Sequence, residues 1–413
     1  MQVRALLLAA PVPLLLVSPR AMAQSQARDI GETAPAVFAN DSIYRERPRR
    51  IGNTSLSLGL EAKLEYDSNV YAEPRDRNDD IRTEIMPRMR LATAPGPLSA
   101  ELGASGNIRR FADLKTENAE AWSIDGALRW APTDSSAASA RGFVQRAIEE
   151  RGDPESNVSQ QTGPRKIDVL GGNLRYRRDS GHVLIDVEGA ATQYDAVSQR
   201  DADRDFTNYN ARATFGLRTR STVFLTATGF VTRRDFRLEK TAAGTGRNST
   251  TFGGRVGVDI QPGGPLEGNF SAGVFRFDPS DGGVKGRTGI SIAGSLVYRP
   301  RRRTAILLDV FQGDVATFRT GAQQRTDTSF RLAVQQEIRH DLFATPTFGF
   351  RQTKYNGSGD KQRIFTVGGE VEYVISRSIS VVAMASYGDR DAEIDARDRY
   401  KRFRGGASVR MRF

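Results

Sequence analysis

At 413 residues, 38% apolar and 26% charged, the chain can bury one large core or several small ones. Lys and Arg number 60 against 49 Asp and Glu, giving a formal charge of +11 at a mean hydropathy of −0.47. The absence of Cys excludes disulfides, thiol nucleophiles and Cys-ligated metals, and His182 and His340 alone make imidazole chemistry scarce; beyond the N-terminus no apolar run of about 18 residues could cross a bilayer as a helix.

Residues 1–23 place Arg4 before an apolar stretch from Ala5 to Val17 and Ala21-Met22-Ala23 before Gln24, an order that predicts a signal peptide cleaved after Ala23. Pro11, Pro13 and Pro19 would interrupt the alternative, a buried N-terminal helix. Residues 24–50, with Pro35, Pro48 and the run Arg45-Glu46-Arg47-Pro48-Arg49-Arg50, have no strand period and predict a flexible periplasmic leader. A lumen plug or a grip on a periplasmic partner is the lesser alternative for that segment.

From residue 51 to 413 a different pattern takes over. Leu56, Leu58, Leu60, Ala62, Leu64 and Tyr66 alternate with Ser57, Glu61, Lys63 and Glu65, and a period of two predicts a strand. The alternation recurs from Ile81 to Leu91, Trp122 to Trp130, Val183 to Ala191, Phe252 to Ile260, Phe365 to Ile375 and Phe403 to Phe413. In all it predicts about 18 runs, within the size range of membrane barrels. Short connections, such as Ala94-Pro97, Thr133 and Ser376-Ser378, recur about every 40 residues. Long polar ones lie midway, including Asp67-Asp79, Gly152-Arg165, Asp195-Asp205, Glu239-Asn248, Asp278-Gly286 and Gly388-Arg399.

Strand length separates a membrane barrel from a soluble fold. About 14 residues at about 3.3 Å each, tilted by about 40°, project to about 35 Å, whereas soluble sandwich strands average about 5–6 residues. The expectation is an all-β, transmembrane, antiparallel up-and-down barrel of about 18 strands, apolar side chains outward. The runner-up is an exported soluble β-propeller or lectin-like carbohydrate-binding protein. Two stretches resist: in 138–150 either parity turns Arg141 or Arg146 outward, and in 166–176 Ile167 and Val169 oppose Leu170 and Leu174, so a bulge or a misplaced strand end is expected in each. Trp122 and Trp130 share a face about 20 Å apart, and with Tyr298 and Tyr373 they are expected at the membrane interfaces.

Phe413 closes an alternating strand and so resembles the terminal aromatic that the insertion machinery reads in outer-membrane barrels. Tyr66-Asp67-Ser68-Asn69-Val70-Tyr71 resembles the Y-D-S/D-N-V-Y/F motif of the putative β-barrel porin 2 family. That resemblance implies an outer-membrane, porin-like channel associated with exopolysaccharide export, and it carries no catalytic residue. The Asp and Asn of the motif also suit a turn through the left-handed region.

With apolar residues outward, Arg88, Arg90, Arg129, Arg212, Arg255, Arg331, Arg351, Arg404 and Arg410 are candidates to line the lumen, interleaved with carboxylates such as Glu61, Glu65, Glu84, Asp186, Glu370 and Glu372. Unpaired, the arginines would favour anionic solutes; paired, they form a charge ladder on a wet wall. Asp201-Ala202-Asp203-Arg204-Asp205 lacks the Gly and closing Glu of a calcium loop and is expected to be a solvated loop. A Ser-His hydrolase would need His at the outer rim, and both His adjoin short turns. The reading is therefore a non-enzymatic channel in the outer membrane of a Gram-negative bacterium, without metal or cofactor. Its expected partners are outer-membrane lipid and lipopolysaccharide, the barrel-insertion machinery, anionic polysaccharide and periplasmic export components, and not nucleic acid.

Overall fold

The computed structural model describes residues 48–156, 162–241, 244–319, 322 and 324–413. The proposed signal peptide and all but the end of the proposed leader lie outside them. The described chain forms one ring of antiparallel strands: β1 (Arg49–Ile51), β2 (Thr54–Asp67), β3 (Asp80–Thr93), β4 (Leu98–Phe111), β5 (Ala119–Thr133), β6 (Ser136–Ile148), β7 (Lys166–Asp179), β8 (Val183–Ala196), β9 (Phe206–Arg220), β10 (Val223–Phe236), β11 (Ser249–Ile260), β12 (Leu266–Pro279), β13 (Arg287–Arg301), β14 (Thr304–Val315), β15 (Gln324–Arg339), β16 (Leu342–Asn356), β17 (Lys361–Val374), β18 (Ile379–Ala392) and β19 (Tyr400–Arg412). From β2 each strand pairs with the next in sequence, and β19 returns to β2, closing an 18-stranded barrel. All described strands belong to this one sheet, so the spacing of about 40 residues is a hairpin repeat and not a propeller.

At the closing seam, β19 covers β2 from Gly59 to Asp67, and Phe413 and Leu58 exchange backbone hydrogen bonds of 2.8 and 3.0 Å. The short β1 then occupies the same edge of β2 at Thr54 to Leu56. The ladder that β19 leaves is thereby continued almost to the rim, which covers the edge of β2 there.

Parity along β2 decides which face is which. Leu64 is 55% exposed while its neighbours Glu65 and Asp67 are 5% and 0% exposed, so apolar side chains point out of the ring and carboxylates into it. A water-soluble protein would reverse this; here the outer face needs an apolar solvent. Val256 on β11, 68% exposed, is one such outward residue at mid-strand. Val256→Arg is expected to lower the free energy of folding into lipid by about 2–4 kcal/mol, read from urea titration in vesicles.

The two awkward stretches contain no bulge between β6 and β7, whose register runs unbroken from Ser136↔Arg178 to Ile148↔Lys166. Arg146 faces outward, two residues from the loop-side end of β6, and its guanidinium grips Asp168 of β7 through two 2.7 Å hydrogen bonds. Arg141 turns inward toward Asp125. Leu170 and Leu174 are outward, and Ile167 and Val169 are buried on the inner face. The inner wall is thus not uniformly polar. On β13 to β17 it also carries a buried apolar cluster of Val297, Ala305, Leu307, Ala333, Phe343 and Val374.

Pro87 and Pro346 lie within strands, although proline cannot donate to a ladder. Each interrupts one neighbour only: Met86 and Pro87 of β3 are unpaired with β4, and Thr345 and Pro346 of β16 are unpaired with Val334 and Gln335 of β15. The other ladder of each strand, with β2 and with β17, runs on.

Candidate channel and its loop-side closure

The inner wall near the loop side is a continuous charge lattice. Lys63 and Arg82 contact Glu65 at 2.6 and 2.5 Å, and Arg82 reaches Glu84 at 3.1 Å. Arg109 of β4 extends the chain to Glu84 at 3.2 Å and to Glu150. These groups sit on neighbouring strands because equal parity places their side chains on one face. Lower on the wall, Arg410 contacts Glu61, Glu370 and Glu372 at 3.2, 3.1 and 3.3 Å. Arg212 pairs with Glu188 at 2.6 Å, and Arg175 pairs with Asp186.

The nine candidate lumen arginines all take the inward parity of their strands, but their surroundings differ. Arg90 contacts Glu101, and Arg404 contacts Asp67 at 3.0 Å and Glu150 at 3.5 Å. Arg255 lies 4.6 Å from the centre of the Phe230 ring and donates to Ser291. Arg331 stands opposite Asp309 across the β14–β15 ladder. Among the described residues no ion pair reaches Arg88, Arg129 or Arg351. Trp122 and Trp130, 39% and 56% exposed, stand outward near opposite ends of β5, and Tyr298 and Tyr373 stand outward near the short-turn ends of β13 and β17. His182 and His340 both lie in short turns.

The segment following β6 turns into the ring and crosses it. Glu149 pairs with Arg204 and Arg165, each at 3.2 Å, and Glu150 reaches Arg404. Arg151 grips Glu117 at 2.6 Å, stacks on Tyr71, and its carbonyl accepts from Arg402 at 2.7 Å. The Gly152 carbonyl accepts from Arg390 of β18 at 2.8 Å. Glu155 finishes the crossing: its carboxylate accepts from the Thr317 hydroxyl at 2.6 Å and the Phe318 N–H at 2.9 Å, with Arg325 of β15 at 3.6 Å. Since β15 is nine strands from β6 in an 18-stranded ring, this one segment bridges the full width of the loop-side mouth.

Two backbone features hold it there. Gly152 has φ +93°, and a Cβ on it would lie 2.9 Å from the Tyr400 hydroxyl and 3.1 Å from Ala72, so glycine is needed for both conformation and space. Glu155 also adopts a left-handed φ, +69°, a strain of about 1 kcal/mol offset by five polar contacts, the three of its carboxylate and those of its carbonyl with Arg165 and Arg204. Phe318, alongside, packs on Phe206 and Phe236, which stack on each other 5.2 Å apart.

Burial raises the Glu149 carboxyl above the usual carboxylate range, and Arg204 and Arg165 do not reverse it. A carboxyl that holds its proton more tightly in the closed form than in water favours closure most below the ordinary range, and that contribution is lost as pH rises through the raised value. Open probability in planar bilayers is therefore expected to rise with pH over this interval, and Glu149→Gln to remove that step.

The motif Tyr66 to Tyr71 serves the same construction and not a left-handed turn. Asp67 receives Arg402 through hydrogen bonds of 2.8 and 3.0 Å and also Arg404, locking β19 to β2. Asn69 is buried, donating to the carbonyls of Glu73 and Lys401 at 2.8 and 3.1 Å. The positive φ falls instead at Ala72 and Asp76. Nor is Asp201 to Asp205 a solvated loop: it forms a short 3-10 turn, with Asp201 on Arg165 at 2.8 Å and Asp205 buried against the Ala196 N–H at 2.7 Å.

A family model described as putative beta-barrel porin 2 matches residues 48–413. The chain belongs to this family. No curated protein matches it. Solved structures similar to this porin-family barrel include OccK2 (OpdF) of Pseudomonas aeruginosa, at TM-score 0.48 and 11% identity over 87% of this chain and 98% of that one. OpdK of the same organism is similar at TM-score 0.46 and 11% identity, over 87% and 99%. The siderophore receptor PiuA of Acinetobacter baumannii is similar at TM-score 0.47 and 8% identity, over 89% and 82%.

Sequence reasoning locates the strands of this porin-family barrel but not the inward course of residues 149–156. The signal there is no more than three acids and one base in Glu149-Glu150-Arg151-Gly152-Asp153, and an ordinary solvated loop has the same composition.

Proposed function

We propose that the protein is an outer-membrane channel for polar solutes, closed at the loop side by residues 149–156 and selective for anions such as acidic saccharide chains. The observation that supports selectivity is the imbalance of the inner wall. Its carboxylates Glu61, Glu84, Asp186, Glu188, Glu370 and Glu372 all have cations within 4 Å, while Arg88, Arg129 and Arg351 are without an ion pair among the described residues. In a water-filled tube with low-dielectric walls, such residual positive charge concentrates anions. A role in exopolysaccharide export follows if the cargo is an acidic polymer. Its partners would then be lipid and lipopolysaccharide at the apolar belt, the insertion machinery, and periplasmic export components.

The reversal potential of the double variant R151A/E155A in a salt gradient tests this. An anion-selective sign is expected, lost in Arg88→Glu/Arg129→Glu/Arg351→Glu in the same background. Acidic oligosaccharide is expected to block current at lower concentration than a neutral one of equal length. Cation selectivity of R151A/E155A would overturn the reading.

A further inference from the structure

Among the described residues the barrel wall is unpaired on one side near the loop-side rim. The β13–β14 ladder runs from Arg301↔Thr304 up to Ile292↔Gln312 and stops there. Above it, Arg287 to Ser291 of β13 pair only with β12, and Gly313 to Val315 of β14 pair only with β15. The tip of β14 has left the wall. Its Asp314 carboxylate accepts from the Thr251 hydroxyl of β11 at 2.7 Å and contacts Arg234 of β10, whose guanidinium also donates to the Asp314 carbonyl at 3.1 Å. Thr and Asp side chains with one hydrogen bond between them span at most about 9 Å, whereas three strand spacings of about 4.8 Å would separate β11 from β14 by about 14 Å. The tip is therefore drawn several ångströms into the ring.

Three observations give the gap a chemistry. Its inner side is aromatic: Phe275 and Phe277, both buried, and the partly exposed Phe311 face inward beside it. Gly289 and Gly313 make room for those rings, since a Cβ on Gly289 would lie 2.5 Å from Phe275 and one on Gly313 3.0 Å from Phe311. Second, a cavity of about 330 Å³ lies over the gap, lined by Phe277, Arg287, Gln324 and Asn356, with the Arg287 guanidinium donating to Asn356 across it. Third, its height suits a membrane interface. Outward Arg276, opposite Thr288, marks a polar level, and outward Ile290 just below marks the start of the apolar belt.

We infer that the β13–β14 gap is a side opening through which the acyl chain of an outer-leaflet lipid enters the lumen at headgroup depth, lying against Phe275, Phe277 and Phe311. This route is distinct from passage along the barrel axis and does not require the 149–156 segment to move. The polar head of such a molecule would meet Arg287 and Lys285 at the rim. Its acyl portion would cover the partly exposed Phe311 ring and extend the apolar packing of Phe275 and Phe277, which are already buried.

The test uses tryptophan fluorescence in bilayers with and without brominated acyl chains, in the full chain carrying Trp122→Phe and Trp130→Phe. Phe311→Trp reports the inner side of the gap, Val310→Trp the outer face of the same strand, and Thr232→Trp an inward position on β10 away from the gap. Brominated phospholipid is expected to quench the reporter at 311 by at least half as much as that at 310, and to leave that at 232 nearly unquenched. Phe311→Trp keeps an aromatic ring in place, and a heat-modifiable gel shift confirms that each variant is folded. The result that overturns the inference is quenching at 311 no greater than at 232. Quenching at 311 by a brominated free fatty acid but not by brominated phospholipid would likewise overturn it, because the gap would then not communicate with the bilayer.

Discussion

R151A/E155A is expected to conduct where the native barrel is nearly silent. Arg151 and Glu117 are both almost completely buried, so removal of the guanidinium leaves a carboxylate in a site that was built around a cation. Breaking a buried pair from one side costs about 3–5 kcal/mol. Glu155 contributes separately, because its carboxylate is the joint between the crossing segment and residues 317–325. Both losses fall on the closed form alone, since a released segment is solvated. Even about 3 kcal/mol would raise the open-to-closed ratio by about a hundredfold. Single-channel recording in planar bilayers reads this directly, and an unchanged gel shift shows that the barrel itself is intact. Conductance equal to the native level would mean that residues 149–156 are not what closes the mouth.

Asp67→Asn carries the largest expected loss of stability. Asp67 is fully buried at the seam where the first long strand meets the last, and it is the shared acceptor for Arg402 and Arg404. The amide retains some hydrogen-bonding capacity but leaves two guanidinium groups facing each other without the charge that joined them. A loss of about 3–5 kcal/mol is expected in urea unfolding from vesicles, with a lower temperature for the gel shift. The control is Asp79→Asn, twelve residues along the same loop, where an exposed carboxylate accepts from the Tyr66 hydroxyl at 3.1 Å. That change is expected to cost less than about 1 kcal/mol.

The contrast between these two acids shows what a sequence discloses. Strand positions are readable because a wall with lipid on one side and polar groups on the other imposes a period of two, visible in Leu56 to Tyr66 and again in Phe403 to Phe413. Asp67 and Asp79 look alike in the chain, and only pairing with a strand 335 residues away makes one of them structural. The same reason hides the crossing segment. A polar lumen and open water both accept Glu149, Arg151 and Glu155, so composition cannot report which of the two surrounds them. Arg146 misleads in the opposite sense: it reads as a charge in the lipid face, and its neutralisation by Asp168 depends on the β6–β7 register. The β13–β14 gap has no sequence signature at all, because Arg287 to Ser291 keep the alternation of a fully paired strand.

Lipid outside the ring and water within it are measured most directly by a cysteine scan of β11, for which the chain offers a cysteine-free background. Single cysteines at 252, 254, 255, 256, 258, 259 and 260 would be labelled in vesicles with a fluorophore whose emission reports solvent polarity, leaving out Gly253 and Gly257, where a Cβ would lie 2.3 and 2.0 Å from backbone carbonyl oxygens of β12. Labels at 255 and 259 are expected to report water, and labels at 252, 254, 256, 258 and 260 hydrocarbon. Emission without a period of two, or with the opposite phase, would contradict the account.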